Sequence, residues 1–142
     1  MREILFRGKR VDNGEWITGN YVKAGYHWHK YGKHEDWIVT SAIQNGGFIN
    51  LCGRGAVIPE TIGQFTGLTD KNGNKIFEGD IVKHGGIVGV IRFDMFSATF
   101  LILEDKDHAE RLENAKRYGE YGLQVIGNIY DNKELLEDKN NG

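Results

Sequence analysis

Apolar and polar positions alternate along this chain in short runs, each broken by glycine, asparagine or aspartate, and that pattern predicts β-hairpins. Arg2 to Arg7 and Glu15 to Lys23 are separated by Asp12-Asn13-Gly14. Counting outward from Asn13-Gly14 as a two-residue type I′ loop puts Val11 opposite Trp16 and Phe6 opposite Tyr21. Trp37 to Ile43 and Phe48 to Leu51 flank Gln44-Asn45-Gly46-Gly47 as a further hairpin, after which Gly53-Arg54-Gly55 is expected to bend the chain. Pro59 has no N–H for a ladder, so Ile58 to Thr61 is expected to be a loop or an edge.

Thr66 to Val82, TGLTDKNGNKIFEGDIV, is the strongest hairpin signal. With Asn72-Gly73 as a two-residue loop, Leu68 falls opposite Phe77 and Thr66 opposite Gly79. Gly79 and Asp80 then read as a tight bend, with the Asp80 carboxylate bonding backbone N–H groups. Lys75 to Val82, Ile87 to Asp94 and Ala98 to Glu104 make a three-strand meander. From Asp107 to Tyr118 the period changes: Ala109, Leu112 and Ala115 are three apart, and Asp107 with Glu110 resembles a capping box, so a helix is expected. Leu123 to Tyr130 is a last strand, Asp131 with Glu134 opens a second helical turn, and 137–142 is expected to fray. The expected fold is mainly β: small bent sheets, an SH3-like or pseudo-barrel C-terminal half, and one or two short helices near the C-terminus. One domain over 1–142 is expected, with hairpins and a loop in 1–58 and a barrel-like core with the C-terminal helix in 59–136.

Composition narrows the function classes. Twenty glycines against one proline in 142 residues fit a chain of many tight turns. Eighteen basic and 20 acidic residues leave a formal charge of −2, which disfavours binding nucleic acid through phosphates. Cys52 is the single cysteine and follows Phe48-Ile49-Asn50-Leu51, which points to a packed, reduced thiol and to the cytoplasm. The longest apolar run, Phe100 to Leu103, is too short to span a bilayer, so no membrane partner is expected.

Candidate chemistry gathers in Ala24 to Asp36, which has neither helical nor strand period and reads as a long loop. His27, His29 and His34, with Glu35 and Asp36, are a weak metal-ligand set, because their spacing matches no recognised zinc pattern and the competing reading is a solvated aromatic loop. Tyr26, Trp28, Tyr31 and Trp37 form a candidate partner-binding surface. With Tyr21 and Lys23, Lys30 and Lys33 they also resemble a stacking platform for single-stranded nucleic acid. Glu78 and Asp80 could pair for acid–base work, but turn chemistry is the better reading. Gly53-Arg54-Gly55 is no dinucleotide fingerprint, since Ile58 stands where the third glycine belongs and Pro59 follows. No catalytic residue and no cofactor is assigned.

Three blocks carry a family resemblance: MREILFRGKRVDNGEWITG (1–19), IGQFTGLTDKNGNKIFEGDIVK (62–83) and VIGNIYDNKELL (125–136). Together they resemble the YopX family of phage and prophage proteins. The resemblance implies a mainly β fold with a barrel-like C-terminal part, a phage or prophage origin and no established biochemical activity, and it makes assembly of several subunits an expectation. Residues 24–55 and 108–122 lie outside the blocks that carry the resemblance. The expected function is therefore a non-enzymatic phage accessory protein acting by protein contacts, with itself or with a host factor. The alternative is a small barrel that binds single-stranded nucleic acid.

Overall fold

The computed structural model describes residues 2–25, 34–46, 48–117 and 122–137, with side chains described outside 24–34, 42–45, 47–52 and 115–121. Among the described residues the chain is mainly β, in two antiparallel sheets with two short helices. It divides into two compact units, Met1–Gln64 and Phe65–Gly142.

The first unit contains β1 (Phe6–Lys9), β2 (Trp16–Gly25), β3 (His34–Asn45), β4 (Phe48–Ala56), a 3-10 turn at Pro59–Thr61 and the start of β5 (Gly63–Thr69). Its antiparallel order is β4-β3-β2-β1-β5. Among its described side chains, Ile38, Val39 and Val57 are buried and apolar. Strands approach closely where glycine allows it: a Cβ on Gly19 would stand 2.3 Å from the Val39 carbonyl oxygen. The Thr61 hydroxyl accepts the Lys9 N–H (2.9 Å) and donates to the Ile58 carbonyl (2.6 Å), tying the 3-10 turn to β1.

In the second unit, the later part of β5 pairs with β6 (Lys75–Phe77). The other sheet has the order β10-β9-β8-β7-β11, from β7 (Asp80–His84), β8 (Ile87–Asp94), β9 (Thr99–Leu103), β10 (Ala109–Arg111) and β11 (Gln124–Asn128). This sheet is open, with β10 and β11 at its edges, so the expected barrel-like half is a bent sheet and not a closed barrel. Two helices, α1 (Leu112–Arg117) and α2 (Glu134–Glu137), complete the unit. Its core is Ile76, Val82, Ile91, Ile102, Leu112 and Leu123, with Leu68, Phe100 and Val125 packed against it. No helix among the described residues is long and apolar enough to cross a membrane.

Several local expectations are corrected. Both Asn-Gly turns use a longer loop than type I′. In β1–β2 the pairs are Lys9↔Trp16 and Phe6↔Gly19, because Val11 to Gly14 all belong to the loop, closed by Arg10 N–H to the Glu15 carbonyl (2.8 Å). The Phe6 and Tyr21 rings still meet, 5.8 Å between centroids, as diagonal neighbours. In β5–β6 the pairs are Phe65↔Phe77 and Thr69↔Lys75. Here Gly73 (φ +83°) is the left-handed residue of a type I turn with a bulge, closed by Gly73 N–H to the Asp70 carbonyl (3.0 Å), and Asn72 keeps negative φ. Gly53-Arg54-Gly55 runs inside β4, where Arg54 pairs with Val39 and the β3–β4 register shifts at Gly53. Glu78-Gly79 interrupts the expected strand from Lys75 to Val82. The expected helix from Asp107 begins only at Leu112, because Ala109, Glu110 and Arg111 pair with Leu103, Ile102 and Leu101 at the sheet edge.

Candidate functional site

The residues singled out from sequence fall in three places. His27, His29, Tyr26, Trp28 and Tyr31 lie outside the described residues, as do the side chains of His34 and Cys52 and the tail from 138. Among the described residues no three His, Cys, Asp or Glu side chains gather as a metal site. Trp37 is half-buried on β3, and the Arg54 guanidinium lies over its ring at 5.1 Å. Tyr21 is half-buried on β2 opposite Ile38, on the other face of the sheet from Trp37, its hydroxyl donating to the Asp36 carboxylate. That bond, with burial, pushes the phenol pKa up.

Asn72, Gly73, Gly79 and Asp80 sit at two turns whose geometry depends on buried carboxylates. Asp70 is 6% exposed. Its Oδ1 accepts the N–H groups of Asn72 (2.9 Å) and Asn74 (2.8 Å), and its Oδ2 accepts the Val125 N–H (3.0 Å) and the Asn74 amide (3.3 Å). Burial pushes this carboxyl up, but the Val125, Asn74 and Asn72 N–H donors outweigh it and hold the pKa below the ordinary carboxylate range. Asp80 is 1% exposed and accepts the Phe77 N–H at 2.8 Å. The carboxylates are thus occupied in fixing backbone, and Asp70 ties the β5–β6 turn to β11 across 55 residues of sequence.

Gly79 connects this turn chemistry to a groove. Its φ of +91° suits glycine, its N–H donates to the Ile91 carbonyl (2.9 Å), and its carbonyl accepts the Ile129 N–H (3.0 Å). A Cβ there would sit 3.2 Å from the Tyr130 ring. The turn after β11 is folded by its own amides: Asn128 Oδ1 accepts the N–H groups of Tyr130 (3.0 Å) and Asp131 (2.9 Å), and Asn132 Oδ1 accepts the Asn128 N–H (3.1 Å). This delivers Ile129, Tyr130 and α2 to the outer face of β8 and β9. Ile91 and Ile102 point into the core, so by alternation Val90, Arg92 and Leu103 line that outer face. The groove has a volume of about 640 Å³ and is walled by Val90, Leu103, Ile129, Tyr130 and Leu136, with Arg92, Lys133 and Glu137 at its margins. Neither Arg92 nor Lys133 is in a side-chain ion pair among the described residues.

The second notable feature is the β8–β9 tip, which the alternation of apolar runs does not single out. Met95 is 83% exposed and Phe96 is fully exposed, with Phe93 half out of the sheet beside them. Asp94 clasps the tip: its carboxylate accepts the N–H groups of Phe96 (3.3 Å) and Ser97 (3.2 Å) and the Ser97 hydroxyl. The Ser97 hydroxyl, opposed by burial and helped by those N–H groups, lowers the carboxyl's pKa. Ala98 closes the loop at φ +52°, a conformation that costs a non-glycine residue about 1 kcal/mol. The Asp94 clasp therefore fixes, against the strain at Ala98, a loop that leaves two large apolar side chains in water. A sequence signal existed: Met95-Phe96 occupies a hairpin loop where polar turn residues are expected.

The sequence matches the YopX protein family over residues 5–137, nearly its whole length. The chain belongs to the YopX family. In this YopX protein the family-like blocks build the Asp70, Gly79 and Asn128 turns and supply Ile129, Tyr130 and Leu136 to the groove. Among solved structures, it is similar to protein EF1440 from Enterococcus faecalis, at 25% identity over 96% of this chain and 99% of that one, with a TM-score of 0.58. No curated protein matches the sequence.

Proposed function

We propose that this YopX protein is a phage or prophage accessory protein that works in the bacterial cytoplasm as a non-enzymatic protein-interaction module, with the β8–β9 tip as a contact element. The observation that carries this reading is the exposure of Met95 and Phe96 on a clasped, strained loop. A lone exposed apolar side chain is ordinary, but two adjacent ones on a loop whose backbone is clasped have the backbone part of their ordering cost met before a partner arrives. Methionine and phenylalanine are also residue types enriched where proteins meet. The polar chemistry of the second unit supports the same reading, since Asp70 and Asp80 are both spent on backbone N–H groups. The test is a photo-crosslinking residue at position 96, in the full chain expressed in a bacterial host, with the exposed turn position 72 as control. A protein adduct at 96 that is absent at 72 is expected. No protein adduct at 96 would overturn the proposal.

A further inference from the structure

The floor of the groove on the outer face of β8 and β9 is one cross-strand pair, Val90 opposite Leu103, and Ile129, Tyr130 and Leu136 wall it from the turn and helix that follow β11. These walls stand before any ligand arrives. Asn128 and Asn132 fold the turn with their own side chains, and the Leu136 N–H donates to the Lys133 carbonyl (3.0 Å) at the start of α2. The volume of about 640 Å³ lies within the roughly 300–1,000 Å³ usual for small-molecule sites, which are mostly apolar with a few placed polar groups.

The polar groups here are unequal in sign. Arg92 follows Val90 by two residues on the same strand face, roughly 7 Å further along. Lys133 stands three residues before Leu136, and Glu137 is the single acid at the margin. Among the described residues no ion pair joins Glu137 to either cation. Two exposed cations without a partner carboxylate therefore border an apolar floor, which favours a ligand with an apolar body and an anionic end. A guanidinium matches a carboxylate in particular, because its fork gives two parallel N–H donors to the two oxygens.

We propose that this groove is a binding site for a small amphiphilic carboxylate, an alkyl or aryl chain of medium length ending in a carboxylate. The chain lies along Val90, Leu103, Tyr130 and Leu136, and the carboxylate faces Arg92 and Lys133. None of these residues belongs to the β8–β9 tip, so the site goes beyond the contact role given to the tip and stands or falls separately from it.

Titration of the purified full chain with hexanoate, octanoate and decanoate, followed by calorimetry and by the NMR signals of the Tyr130 ring and the Leu103 and Leu136 methyl groups, tests this. Saturable binding of octanoate with a Kd below about 1 mM is expected, tightening by about two- to fourfold for each added methylene. Octan-1-ol, with the same chain and no charge, is expected to bind more than about tenfold more weakly. Arg92→Glu and Lys133→Glu are each expected to weaken octanoate by more than about fivefold. Lys106→Glu makes the same change of net charge at an exposed position outside the groove and is expected to leave the affinity within about twofold. Arg92 and Lys133 are exposed, and unchanged thermal melting confirms that each variant is folded; Arg92→Gln replaces any charge reversal that fails to fold. No saturable binding up to about 10 mM, equal affinity for octan-1-ol, or binding indifferent to both charge reversals overturns the proposal.

Discussion

Replacing Asp70 by alanine removes the acceptor of four hydrogen bonds, three of them from backbone N–H groups. The Asn72 N–H lies in an exposed turn and can turn to water. The Val125 N–H belongs to β11, and the Asn74 N–H closes the turn, so these lose more. Leaving a buried donor unsatisfied costs about 1–3 kcal/mol, and bonds to a charged acceptor sit at the upper end, so a loss of about 3–4 kcal/mol is expected for Asp70→Ala. Asp70→Asn keeps the Oδ1 acceptor but can point an amide at the Val125 N–H, and about 2 kcal/mol is expected. Urea unfolding reads both as a shift of midpoint at constant slope. The pH dependence has a fixed sign. Because the folded carboxyl is held below its unfolded value of about 3.9, its contribution is fully present above that value and is lost as pH falls through the folded pKa. The gap between wild type and Asp70→Asn should be flat from about pH 6 to 8 and shrink below about pH 4. A loss under about 1 kcal/mol for Asp70→Ala, or a gap that grows on acidification, would refute the role given to this carboxylate.

Other substitutions probe separate elements. Gly79→Ala forces a Cβ into a φ of +91° against the Tyr130 ring and should destabilise by about 2–3 kcal/mol in the same unfolding assay. Ala98→Gly relieves φ +52° and should stabilise by about 0.5–1 kcal/mol, seen as a raised thermal midpoint. Ile91→Ala empties a fully buried position in the second unit's core and should cost about 3–4 kcal/mol by denaturant titration. Phe96→Ser should change stability by less than about 0.5 kcal/mol, because the ring makes no core contact; a larger loss would show that the tip is structural.

The alternation of apolar and polar residues carries the fold class because each face of a strand is recorded every second residue; the runs around Ile91 and Ile102 keep that record, while Ile38-Val39 and Ile81-Val82 are buried on consecutive positions. Register is another matter. Asn13-Gly14 and Asn72-Gly73 each announce a hairpin, yet the dipeptide does not state the loop length. At Asp70 the deciding bonds come from Asn74 four residues on and from Val125 in a strand far along the chain. The segment Ala109 to Arg111 has helical spacing, and edge pairing with β9 overrides it. Asp80 is read from sequence as turn chemistry, and the structure puts its carboxylate on the Phe77 N–H. The groove is not legible at all, since it joins alternate residues of β8 and β9 to a turn and helix some 30 residues later. The tip is legible only as an exception, two large apolar residues where a turn would ordinarily be polar.

The central claim is that this YopX protein acts through contacts made by its β8–β9 tip. The most direct measurement is the yield of protein adduct from a photo-reactive residue at position 96 in bacterial cells, compared with position 72. The account predicts a discrete adduct at 96, absent at 72 and lost when Met95 is changed to Asp. Equal yields at the two positions, or no adduct at 96, would contradict it.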